Sequence, residues 1–281
     1  MDIKRFKQLV IRFWRTEDTK ISLVRDILVA FLLVLVLLLA LWSYTGQWFG
    51  IPMVAIESGS MMHPDESGFG KLGTIDAGDM VFLIKIEGRD DIATRGGTHG
   101  GAYASRDQDN YFYGDYGDVI VYRKYGNPNT KQIIHRARCW VEKNPDGNYT
   151  VAEYGLVNVE SITIEELGLN KYKPSHSGFI TQGDNPYTNP TCDQVGGICD
   201  EPIKPEWISG KARSELPWIG TINLFFDDFR SGCFWGSGCE PTVYNVSEDC
   251  IFCLIMLIAF LISIPVALDI YDWYKGDDEE K

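Results

Sequence analysis

Glu57-Ser58-Gly59-Ser60-Met61 sets a serine hydroxyl between small residues, shortly after a long apolar stretch. Serine is a weak nucleophile at neutral pH and needs an adjacent base to take its proton. The chain has four histidines, His63, His99, His135 and His176. His99 lies in a glycine-rich segment and His176 in the turn-like Lys173-Pro174-Ser175-His176-Ser177, so both read as surface residues. His63 follows Ser60 by three residues, and a loop neighbour that close seldom has the orientation a base requires. His135 sits in Ile133-Ile134-His135-Arg136, within a strand-like run where packing can fix its rotamer. A lone histidine on such a strand is ordinarily a satisfied core residue; Ser60 is what gives His135 a second reading. Together they point to acyl transfer by a serine peptidase, with His63 as the alternative base.

The elements that must hold these residues are mostly strands. Asp79-Met80-Val81-Phe82-Leu83-Ile84-Lys85-Ile86 and Asp118-Val119-Ile120-Val121-Tyr122 are short, β-branched and introduced by Gly-Asp turns. Gln132 to Val141 alternates, and Tyr149-Thr150-Val151-Ala152 and Gly178-Phe179-Ile180-Thr181 extend the pattern. Ile164-Glu165-Glu166-Leu167 carries some helical character. Residues 88–117, rich in Gly, Asp, Arg and Tyr and without a period, are expected to form a surface-loop insertion. The fold class this predicts is mainly β: one β-rich domain tethered by two transmembrane helices.

Ile27 to Trp42 is sixteen apolar residues without a break, and Trp42, Tyr44, Trp48 and Phe49 suit the interfacial belt that would complete a span. A cleaved signal peptide would show a shorter core and a small-residue cleavage site, which Ser43-Tyr44-Thr45 does not resemble. Cys250 to Leu268 is nineteen residues interrupted only by Ser263 and Pro265. Lys4, Arg5, Lys7, Arg12, Arg15, Lys20 and Arg25 precede the first stretch and favour a cytoplasmic N-terminus. The expected order is a basic cytoplasmic segment (1–26), a span (27–48), an exterior β domain (49–249), a second span (250–268) and an acidic cytoplasmic tail (269–281). Ser60, eleven residues beyond Phe49, can lie at most about 40 Å from the span end and in a folded chain lies nearer.

The formal charge of -13 argues against nucleic-acid binding, which requires basic patches. Cys192 and Cys199, and Cys233 and Cys239, bracket short glycine-containing loops that two local disulfides would close in an oxidising exterior. Their intervals do not match the two-to-four spacing of zinc ligands, and no metal or cofactor is called for. Cys250 and Cys253 read as packing residues of the second span; Trp218, Phe225 and Phe226 read as core, with contact between the domain and lipid as their alternative. Asn148-Tyr149-Thr150 and Asn245-Val246-Ser247 are glycan-acceptor patterns.

Ser58-Gly59-Ser60-Met61, Gly117-Asp118-Val119-Ile120-Val121-Tyr122, Ile134-His135-Arg136 and Gly183-Asp184-Asn185 occur in the order of the type I signal peptidase boxes. The chain resembles that family over about residues 51–226, and the histidine makes it similar to the archaeal and endoplasmic-reticulum branch. Gly210-Lys211-Ala212-Arg213 and Leu216-Pro217-Trp218-Ile219-Gly220 look like that family's closing strand. The resemblance implies an endopeptidase that removes signal peptides from exported preproteins, with Ser60 as nucleophile and His135 as general base. Its partners would be signal-peptide-bearing preproteins, membrane lipid and the secretion translocon. The family's orienting aspartate lies some residues beyond the Gly-Asp-Asn box, which points to Asp193, with Asp184 as the supporting or alternative acid. Ser58 matches an oxyanion-stabilising hydroxyl in bacterial relatives. The chain departs from the pattern at Met61-Met62-His63-Pro64, which has an extra residue before proline, and by inserting Pro186 to Cys192 between the two aspartates.

Overall fold

The computed structural model describes Trp14 and residues 18–48, 50, 52–63, 72–99, 110–235 and 238–279, with side chains as far as Tyr271. The chain divides into two units, one up to Pro52 and one from Met53 onward.

The first unit is helix α1 (Thr19–Thr45). Asp18 caps it, accepting from the backbone N–H of Lys20 at 2.9 Å and of Ile21 at 3.4 Å. Gly46 ends it with φ 66°, the left-handed conformation that glycine adopts without a Cβ clash. The helix thus begins before Ile27 and stops before Trp48, because its limits are set by these caps and not by the ends of the apolar run. It is long and apolar enough to cross a membrane.

The second unit runs β1 (Met53–Ala55), β2 (Met80–Ile84), α2 (Arg95–Thr98), β3 (Tyr111–Phe112), β4 (Asp115–Tyr116), β5 (Val119–Arg123), β6 (Gln132–Lys143), β7 (Tyr149–Val151) and β8 (Leu156–Val159). It continues with β9 (Ile162–Ile164), β10 (Leu169–Tyr172), β11 (Gly178–Gln182), β12 (Ile208–Leu216), α3 (Gly220–Ser231) and α4 (Glu248–Glu279). Eight strands form one sheet in the order β1-β2-β12-β5-β6-β7-β8, with β11 also pairing with β6. Each of these pairings is antiparallel. The protein is mainly β, as its alternation predicts.

Strand β5 shows why the sheet needs cover on both faces. Val119 and Val121 join Ile56, Met61, Ile75, Val81 and Leu83 in one buried cluster. Ile120 and Tyr122 join Ala137, Phe179, Cys199 and Ile203 in another. Further along β6, Ala137 pairs with Thr181 and Cys139 with Ile180, so Arg138 is the extra residue of a bulge. Beyond it, Cys139 and Val141 enter a third cluster with Ile162, Leu167 and Cys192. Each fully buried branched side chain here contributes about 1.5–3 kcal/mol of transfer free energy.

Several expectations are corrected. Within 88–117, the described residues are ordered: α2 packs Gly96 and Thr98 inside, and β3 and β4 form a hairpin. Its two-residue turn, Tyr113 (φ 53°) and Gly114 (φ 82°), has the double positive φ of a type I′ turn. Residues 100–109 of that insertion lie outside the described residues. The helical character expected at Ile164 to Leu167 is present, but only as one 3-10 turn, Glu165–Leu167, between the end of β9 and β10. Cys233 and Cys239 are disulfide-bonded, but Cys192 and Cys199 are free. The physical reason is that their thiols face different cores, Cys192 the cluster around Cys139 and Cys199 the cluster around Ile120.

Helix α4 is longer than its apolar stretch and contains Pro265, which removes one helical hydrogen bond, a defect that spans tolerate when neighbouring groups compensate. It is the second helix long and apolar enough to cross a membrane. Cys250 and Cys253 are buried on it, as packing residues would be.

Candidate active site

His135 stands on β6 opposite Ile120 of β5, and its side chain is only 3% exposed. Its Nδ1 lies 2.8 Å from both carboxylate oxygens of Asp193. Asp193 is fully buried, and its Oδ2 also accepts from Tyr122 Oη at 2.7 Å and Thr181 Oγ1 at 2.6 Å. Burial, then the Asp193 carboxylate, hold the Tyr122 phenol well above its ordinary range, so it remains a donor. The backbone fixes the carboxylate as firmly: Asp193 N–H donates to Thr181 O at 2.8 Å, and Ile198 and Cys199 N–H close back on Asp193 O. A carboxylate only accepts, so the neutral imidazole carries its proton on Nδ1 and leaves Nε2 as the acceptor a general base requires.

Ser60 occupies the 3-10 turn Gly59–Met61 that follows β1. Met61, buried in the cluster with Ile56 and Leu83, anchors this turn from below. Asn185 grips it from the side, its N–H donating to Ser60 O at 2.9 Å and its Nδ2 to Gly59 O at 2.8 Å. Gly183 lies so close that an added Cβ would sit 2.5 Å from Ser60 O. Ser58 Oγ donates to Ser60 Oγ at 3.4 Å. Among the described residues, no hydrogen bond joins Ser60 to His135.

Asp184 has different company. Arg136, the residue after His135 and wholly buried, donates Nε to Asp184 at 2.9 Å and Nη2 at 2.5 Å. The same guanidinium donates to the carbonyls of Tyr113 and Gly117, so it also holds the β3–β4 hairpin. His63 Nε2 lies 3.3 Å from Asp184 Oδ2. Burial raises the Asp184 carboxyl, but Arg136 and His63 outweigh it and leave the group below the ordinary carboxylate range. Asp184 therefore bonds Arg136 and His63 and not His135. A polar cleft of about 380 Å³ opens beside it, lined by His63, Arg95, Arg138, Glu166, Gln182 and Asn189 among others.

The structure thus brings Asp193 to His135, Ser58 to Ser60, and Asp184 to Arg136 and His63. Four contributors carry no role in the sequence reading: Tyr122, Thr181, Arg136 and Asn185. The available signal was polarity out of place, a Tyr and a Thr inside apolar strands and an arginine in the middle of β6. Asp118 is similar, pairing with Lys211 at 3.1 Å and Arg213 at 2.9 Å to bind β5 to β12. No family model matches the chain, and no curated protein matches it.

Proposed function

We propose that the protein is a membrane-anchored serine endopeptidase of the type I signal peptidase kind, which cleaves signal peptides from exported preproteins. The observation that carries this reading is the buried Asp193–His135 pair, with three donors on one carboxylate and the imidazole Nε2 left as acceptor. The pinned Ser58-Gly59-Ser60 turn adds support, because a nucleophile must be held before substrate arrives.

Ser60 Oγ attacks the scissile carbonyl as its proton passes to His135 Nε2. The tetrahedral oxyanion draws on the Ser60 N–H and the Ser58 hydroxyl. His135 then returns the proton to the leaving amine as the C–N bond breaks. Water, deprotonated by the same imidazole, hydrolyses the acyl-enzyme and releases Ser60. The bond between Ser58 and Ser60 must exchange for one between Ser60 and His135 on substrate entry, which frees the Ser58 hydroxyl for the oxyanion. Such bonds are commonly long in a free enzyme and tighten in its complex. Asp193 orients the base, and Asp184 supports it indirectly through Arg136, its neighbour on β6. In this reading both termini are cytoplasmic, the β domain is outside, and preproteins arrive through lipid from the translocon.

Purified full-length protein should cut a precursor between its signal peptide and mature part, and Ser60→Ala and His135→Ala should each abolish cutting. Processing at the wild-type rate by either variant would sink the mechanism. If His135→Ala cuts and Ser60→Ala does not, His63 becomes the base to test. One observation favours a second reading, a tethered domain without activity: Ser60 is bonded to Ser58 instead of His135. A wild-type chain whose Ser60 takes up neither an acylating β-lactam nor a phosphonate probe would support that reading.

A further inference from the structure

Helix α3 has three faces. Gly220, Thr221, Leu224 and Asp228 are buried against the domain, while Asn223, Asp227 and Arg230 are polar. The third face, Ile222, Phe225, Phe226 and Phe229, repeats at i, i+3, i+4 and i+7, and all four side chains are exposed. Phe226 is 63% exposed and Trp235, in the turn that follows, 75%. These rings meet in two groups on that face: Phe225 touches Phe226 and Phe234, which meets Tyr244, and Phe229 faces Trp235. The Cys233–Cys239 disulfide closes the loop that presents Trp235.

The patch is joined directly to the membrane-spanning candidate α4. Asp228 accepts from Val243 N–H at 2.8 Å and Thr242 Oγ1 at 3.0 Å, fastening α3 to the turn that leads into α4. Leu224 of α3 packs in one cluster with Val246 and with Cys250 in the opening turns of α4. The same cluster receives Ala55 of β1, and Asn245 Nδ2 donates to Glu57 O at 2.8 Å, next to Ser58. The exposed patch is therefore fixed at one side to the membrane-spanning candidate α4 and at the other to β1, the strand that leads into the turn of Ser60.

We propose that α3, with Trp235 and Tyr244, is an interfacial foot that lies in the leaflet through which α4 enters the bilayer. Continuity with α4 identifies the occupant. An apolar face that adjoins the start of a span meets acyl chains and headgroups first, and Trp and Tyr at its margin suit that depth. Phe225 and Phe226 do not fill the core, contrary to the sequence expectation, because Leu224 and Asp228 already occupy the inward face; Trp218 alone of the three is packed inward. The foot sets the height of Ser60 above the lipid. That consequence rests on the peptidase reading, whereas lipid contact does not.

The test uses the full chain in phosphatidylcholine nanodiscs, with p-benzoylphenylalanine at position 226 or 229 and, as control, at the exposed Val157 of β8. Irradiation should give lipid-mass adducts at 226 and 229, several-fold above those at 157. Adduct yields equal to the control, or crosslinks to a second copy instead of lipid, would overturn the proposal. The triple variant Phe225→Ser, Phe226→Ser, Phe229→Ser should cleave a short soluble peptide in detergent at roughly the wild-type rate, yet process a bilayer-inserted precursor at least about ten-fold more slowly. Equal rates on the inserted precursor would refute the height-setting role. A wild type that cleaves nothing would sink the peptidase reading and leave the adducts as evidence for the foot.

Discussion

His135 and Arg136 are neighbours on β6 whose side chains leave opposite faces of the sheet, and the two aspartates divide between them. Asp193 meets His135 on the side of Tyr122, and Asp184 meets Arg136 on the side of the β3–β4 hairpin. The same substitution at the two should therefore fail differently. Asp193→Asn keeps the volume but no longer fixes the Nδ1–H tautomer, so on the peptidase reading proposed above kcat on a precursor should fall about 10³–10⁴-fold. Its fold should survive, which a near-wild-type unfolding midpoint would show. Asp184→Asn leaves a buried guanidinium without its counter-charge, a loss of about 3–5 kcal/mol, and should show first in the unfolding midpoint. Should Asp184→Asn lose activity with an unchanged midpoint, its assignment as a structural acid is wrong. The pH dependence has a definite sign. Asp184 titrates lower when folded, so its contribution is complete above the unfolded carboxyl value of about 3.9 and is lost as pH falls through the folded value. Acid unfolding below about pH 4 should thus be less steep in Asp184→Asn than in the wild type.

Among the elements, the end of β11 and the turn of Ser60 depend on a close approach. Gly183→Ala would force a Cβ to 2.5 Å from Ser60 O, and that turn must shift. A displacement near 1 Å costs about 10²-fold in rate, so kcat should fall by that order while KM changes little. The start of β2 carries a second device. Asp79 accepts from Trp218 N–H and Asp76 N–H at 2.9 Å each, tying β2 to the turn before α3. Burial raises its carboxyl to about 6. A raised carboxyl stabilises the fold fully below its unfolded value, near 3.9, and loses that contribution as pH climbs through about 6. The unfolding midpoint should accordingly decline between pH 4 and 6 more in the wild type than in Asp79→Asn; parallel curves would refute it. The sheet was legible because β2, β5 and β6 alternate or run apolar, patterns that local sequence alone dictates. The β3–β4 hairpin was not, since its order comes from Arg136 reaching its carbonyls across the sheet. Which cysteines pair was equally hidden, because spacing cannot tell which core a thiol faces. Spacing also left two aspartates open; only the bulge and loop that bring Asp193 back to Thr181 separate them.

At the scale of the whole molecule, a β domain is flanked in the sequence by two helices able to cross a membrane, in a chain whose charge is -13. Lys4, Arg5, Lys7, Arg12 and Arg15 precede the first helix and Lys20 stands in its first turn, whereas the tail Asp277-Asp278-Glu279-Glu280 weighs little in orientation. On the topology proposed above, with the N-terminus cytoplasmic and the β domain outside, replacing Lys4, Arg5, Lys7, Arg12, Arg15 and Lys20 by Gln should invert part of the population, moving the β domain to the cytoplasm. Three readouts must move together. An N-terminal epitope, shielded in the wild type, becomes open to protease added outside the cell. Cys233 and Cys239 become reducible in the inverted fraction, because the cytoplasm does not sustain such a bond, and thiol alkylation counts them. Precursor processing falls by that same fraction, since an inverted domain stands on the side where no cleavage site emerges. A neutralised chain that keeps its epitope shielded would show that the second helix or the folded domain fixes the orientation. Inversion with undiminished processing would instead separate the catalytic reading from the membrane geometry on which it depends.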